Sequence, residues 1–133
     1  MEPKTLYKLP LFLSSVEAGF PSPAEEYIEG TLDLNKLMIQ HPAATFFVRA
    51  SGDSMQDAAI NPGDILVVDR ALEASSGKIV LAVVNGEFTV KRLLKKGGKL
   101  YLVPENKRFS PLLITKEMDF QVWGVVTWVI HKA

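Results

Sequence analysis

The sequence predicts a mainly β protein: a compact antiparallel β fold that follows an extended N-terminal arm and carries one or two short helices. Three observations lead there. Past His41-Pro42 the chain is a succession of short apolar, β-branched runs separated by turn residues. Two of these runs bracket Asn85-Gly86, the pair that a type I′ hairpin turn selects because both central positions need positive φ. Before His41 that succession is missing, and Pro and Gly interrupt the chain instead.

Residues 1–41 form the arm. It opens with an extended apolar segment from Leu6 to Val16, and the stretch SSVEAGFPSP follows. Pro21 and Pro23 discourage helix there, which leaves the slim Ala18–Gly19 bond open to cutting. Ser22-Pro23-Ala24-Glu25 has the form of a capping box with Pro at the first helical position. A short helix is therefore expected to run to Glu29, ahead of Gly30. DLNKLMIQ predicts another helical turn or two. Residues 42–133 form the β-rich domain. Its expected strands, five or six of them, lie in ATFFVRAS, DILVVD, KIVLAVV, EFTVKRLL, KLYLVP and FQVWGVVTWVIH, with NPGD and KKGGK among the turns.

Composition narrows the function. The chain has 133 residues, enough for a single substantial core. Fifteen basic residues balance fifteen acidic ones, which argues against nucleic-acid or membrane-surface binding as the main task. Net charge says nothing about distribution, so a local patch is compatible with it. Without cysteine there is no disulfide frame, thiolate metal site or cysteine nucleophile. No apolar run approaches the roughly 18 residues of a membrane span, and a cytoplasmic protein is expected. Lys4, Lys8 and Val16-x-Ala18 imitate an export signal, yet Glu2, Pro10, Ser14 and Ser15 spoil the match.

Three routes to a nucleophile can be weighed. A Ser-His-Asp arrangement has only His41, which precedes a proline, and His131, on the last strand; both read as ordinary surface or sheet residues. Metal chemistry needs clustered His, Asp or Glu, which the spacing does not supply, so no cofactor is expected. The third route is a serine activated by a lysine. Ser54, in ASGDSMQD, sits in a loop after a strand, among small residues that let a substrate backbone approach. Lys91 lies 37 residues on, in the second strand of the expected hairpin, where it shares a face with Thr89 and Leu93. That setting suits a partly buried amine. The same pattern also fits solvated charges at a strand end, and an interaction module in which Ser54 and Lys91 are incidental.

The run EAGFPSPAEEYIEGTLDLNKLMIQHPAATFFVRASGDSM, with GDILVVD and NGEFTVKRL, resembles the LexA/UmuD family of self-cleaving serine peptidases. The similarity spans about Leu9 to Val129 and joins a cut site, a nucleophile loop and a lysine strand in the family's order. The resemblance implies Ser54 as nucleophile, Lys91 as general base and Ala18–Gly19 as the scissile bond. It also suggests the backbone amides of Asp53 and Ser54 as the oxyanion hole. Members of the UmuD type can carry cysteine before the cut, whereas this chain has alanine, as LexA-type repressors do. A repressor would need a DNA-binding domain ahead of the cut, and 18 residues cannot fold into one. For partners, the resemblance implies a homodimer, a RecA–single-stranded DNA filament as co-activator and a UmuC-type DNA polymerase for translesion synthesis. It implies no direct specific DNA binding and no membrane.

Overall fold

The computed structural model describes residues 7–12 and 28–133, and the chain divides into two compact units, Met1–Gln40 and His41–Ala133. In the first unit, strand β1 (Leu9–Phe12) pairs antiparallel with β2 (Ile28–Leu32), Leu9 opposite Leu32 and Leu11 opposite Gly30. Helix α1 (Leu34–Met38) follows. Its N-terminus is capped by the Asp33 carboxylate, which accepts from the amides of Asn35 and Lys36 and so satisfies donors the helix cannot. This is the helical turn expected in DLNKLMIQ. The helix expected from Ser22 lies outside the described residues up to Tyr27, and its last two positions, Ile28 and Glu29, are strand instead. Pairing with β1 supplies the backbone partners that a helix ending at Gly30 would have supplied internally.

The second unit is a seven-stranded antiparallel sheet. Its strands are β3 (Thr45–Arg49), β4 (Ile65–Asp69), β5 (Ile79–Val84), β6 (Glu87–Lys96), β7 (Lys99–Val103), β8 (Leu112–Ile114) and β9 (Phe120–Ile130). The spatial order is β3-β4-β9-β5-β6-β7-β8. Six strands fall on the six runs expected from the sequence. The seventh, β8, is three residues long behind Pro111, too short for alternation to register. Asn85 and Gly86 join β5 to β6 with φ of 49° and 83°, the positive values that a type I′ turn demands.

Alternation along the strands sorts the core into two clusters. Leu81 packs with Met55, Ile60, Leu66 and Val68. Its neighbours Val80 and Ala82 point the other way, onto Leu93, Leu102 and Val125. Each such large side chain, once enclosed, contributes about 1.5–3 kcal/mol. β9 reaches both clusters because register shifts against β4 and β5 let it bend, and Gly124 allows β4 to come close at that point.

The two histidines are not plain surface groups. His41 Nδ1 lies 2.6 Å from Asp69 Oδ2, and His131 Nδ1 lies 2.6 Å from Asp64 Oδ1. Both aspartates are buried, at 3 and 4% exposure. Asp69 ends β4 and Asp64 immediately precedes it, so each histidine fastens a different stretch of chain to a strand flanked by β3 and β9.

Candidate active site

β6 changes partners halfway along. β5 pairs with its first half, Glu87 to Arg92, and β7 joins its other side from Arg92 onward. Lys91 therefore sits just before the changeover. A cleft of about 490 Å³ lies here, walled by apolar Phe46, Val48, Leu81, Val90 and Trp123 and by Phe88, which meets Trp123 edge-on at 5.2 Å. Ser51, Gly52 and Ser54 form its loop side.

The loop carrying Ser54 is bolted from two directions. Met55 is buried in the core beneath it and its sulfur receives the Glu105 amide. Asp53 is held from the loop after β7: its carbonyl accepts from Asn106 Nδ2 at 2.8 Å, and its carboxylate pairs with Arg108. Asp57 N–H donates to the Glu105 carbonyl at 2.7 Å. A serine on a loop fastened in this way needs little further ordering to act.

Ser54 and Lys91, far apart in sequence, meet in the cleft: Lys91 Nζ is 2.9 Å from Ser54 Oγ. The same nitrogen is 2.7 Å from Thr89 Oγ1 and 3.2 Å from the Val90 carbonyl. Among the described residues it has no carboxylate partner. Burial against the apolar wall holds its pKa below the ordinary lysine value, because the charged form loses water without gaining a counter-ion. Ser54 Oγ, Thr89 Oγ1 and the Val90 carbonyl each accept from Lys91 Nζ. A neutral amine, with two N–H bonds and a lone pair, can keep two of these contacts and accept from the third.

The amides of Asp53 and Ser54 are not engaged by any protein acceptor among the described residues, which leaves them free to donate. Ala18 and Gly19 lie outside the described residues. Sequence reasoning missed Asn106 and Arg108, the residues that hold the serine loop. They lie more than fifty positions away, and an Asn or Arg after a strand carries no local signature of such a role.

Comparison with known proteins is consistent with this geometry. The Peptidase S24-like family matches residues 10–127. The chain is 51% identical over 123 residues to protein SamA of Salmonella typhimurium, covering 92% of this chain and 85% of SamA. It is 50% identical over 127 residues to protein ImpA of Shigella flexneri, covering 95% of this chain and 86% of that one. Protein MucA of Escherichia coli is 46% identical over 123 residues, with 92 and 84% covered. The expected resemblance thus holds at family level, together with the antiparallel β fold it implied. The chain belongs to the Peptidase S24-like family.

Proposed function

We propose that this protein is a serine peptidase that cuts its own chain between Ala18 and Gly19, using Ser54 as nucleophile and Lys91 as general base. The observation that carries the reading is the 2.9 Å approach of Lys91 Nζ to Ser54 Oγ inside an apolar cleft. Neutral Lys91 takes the hydroxyl proton as Ser54 Oγ bonds to the Ala18 carbonyl carbon. The amides of Asp53 and Ser54 receive the oxyanion. As the tetrahedral species collapses, the C–N bond breaks and Lys91 returns the proton to the Gly19 nitrogen. Water, deprotonated by Lys91, then releases the acyl group from Ser54. Tethering keeps the scissile bond at high local concentration, so a modest site suffices.

The product begins at Gly19 and retains the seven-stranded sheet, while β1 leaves with the arm. It acts, on this reading, as a homodimeric accessory subunit of a UmuC-type translesion polymerase in the SOS response to DNA damage. A RecA–single-stranded DNA filament promotes the cut by favouring the docked state of the arm. The family match and the likeness to SamA, ImpA and MucA support this reading, in which the protein works in the cytoplasm.

Purified protein incubated at neutral and at alkaline pH, with and without activated RecA, should yield by mass a cut after Ala18. Ser54→Ala and Lys91→Ala should each slow it at least a thousandfold, on the order of losses seen when such groups are removed. An intact chain under every condition would favour a non-enzymatic interaction module. Cutting that persists in Ser54→Ala would mean an outside protease.

A further inference from the structure

We propose that one face of the sheet at its β8 edge, formed by the second half of β6 with β7 and β8, binds single-stranded nucleic acid without sequence preference. Charge is segregated along this neutral chain. Residues 91–116 hold eight Lys and Arg against Glu105 alone, while the remaining residues hold seven against fourteen acidic ones. The two arginines of the segment are already engaged, Arg92 by Glu105 and Arg108 by Asp53. The exposed lysines 95, 96, 99, 107 and 116 have no carboxylate partner among the described residues.

The register sharpens this. Lys96 and Lys99 are directly opposed at the closed end of the β6–β7 hairpin. Like charges so placed destabilise a sheet, and an anion lying across them removes the penalty. On the same face Leu94, Tyr101 and Leu113 line up across the three strands. Both leucines are exposed, Tyr101 is half-buried, and none of the three belongs to either core cluster. A flat apolar row with an aromatic at its centre, flanked by cations, suits bases splayed from a single strand.

The chemistry of the cations separates phosphate from carboxylate. Carboxylates are best gripped by the arginine fork, and here both forks are spent on the protein's own acids. The free cations are lysines, point charges that serve phosphates well. Among the described residues this face is built of three strands, a surface for stacking bases rather than a helix for a duplex groove, so the single strand is the form that fits.

The test is fluorescence anisotropy of a labelled oligothymidylate of roughly 20 nucleotides, longer than the ~4–16 usual for one module. Binding should appear at low salt and weaken at least about tenfold at physiological salt. Tyr101→Ala should weaken it by roughly fivefold or more. Lys96→Glu should also weaken binding at least fivefold or so, yet raise the melting temperature, because it turns an opposed like pair into an opposite one. A folding defect cannot produce that combination. The proposal is overturned by an unchanged anisotropy at low salt, or by full affinity in Lys96→Glu. It is also overturned if polyglutamate competes as well as unlabelled oligothymidylate, which would assign the face to an acidic protein. Self-cleavage is read separately by mass, so either reading can fail without the other.

Discussion

The Thr89 hydroxyl lies closer to Lys91 Nζ than the Ser54 hydroxyl does, at 2.7 against 2.9 Å. Thr89 precedes Lys91 by two on β6, so the two side chains share a side of the strand and the contact comes with the secondary structure itself. Thr89 Oγ1 accepts one N–H of the amine, which on the proposed mechanism leaves the lone pair of the neutral form for Ser54. Thr89→Val keeps the shape and removes the acceptor. Self-cleavage should slow by roughly tenfold, the worth of one such hydrogen bond, and Thr89→Ser should restore it.

Lys91 also sets a pH dependence. Its native pKa is lowered by burial, so the reactive neutral form grows as pH rises toward that value. Cleavage should accelerate about tenfold per unit below the native pKa and level off above it. The stability consequence has a definite sign. Between the lowered native pKa and the unfolded value near 10.4, the unfolded chain binds the extra proton, so stability increases with pH across that window. Below it the charged amine is held at a penalty. Lys91→Met should therefore melt higher than the parent near neutrality, with the gap narrowing as pH approaches about 10. Melting curves of both proteins across that range check the sign.

Asp64 and Asp69 predict the acid limb. The Asn61 amide and then His131 hold the Asp64 carboxyl below its ordinary value, against burial. Burial pushes the Asp69 carboxyl up, but His41 and the Ala71 amide outweigh it and the net direction is down. Groups of this kind stabilise the fold above the unfolded carboxyl pKa of about 3.9, and the stabilisation is lost as pH falls through the lower native values. Asp64→Asn and Asp69→Asn should each lower stability at neutral pH and flatten its decline below about pH 4, as read by denaturant unfolding.

Gly124 supplies a steric prediction. A Cβ there would meet Val68 Cγ1 at 2.6 Å and the Asp69 carbonyl oxygen at 3.1 Å. Both lie in β4, pinned on its far side by β3 and at its ends by the histidines, so neither can move away freely. Gly124→Ala should destabilise the protein by about 1–3 kcal/mol, visible as a lowered unfolding midpoint.

Much of this was legible in the sequence. Apolar alternation located β3 to β7 and β9, and the Asn85-Gly86 turn located the hairpin that carries Lys91. The pairing of Ser54 with Lys91 was visible as a resemblance, whereas their distance depends on β6 lying alongside the serine loop, which no local pattern encodes. Ile28 and Glu29 read as the end of a helix because a capping box is a local signal, and pairing with β1 overrode it. In sequence the histidines look ordinary because their partners, Asp64 for His131 and Asp69 for His41, lie 67 and 28 positions away. The lysine pair at the hairpin end was hidden by a net charge of zero.

Because His41 is fastened at the Asp69 end of β4 and His131 at the Asp64 end, the β-rich unit receives its chain and releases it at points separated by about one strand length, roughly 17 Å. A reporter fused after Ala133 thus starts its path on the side remote from the entry point.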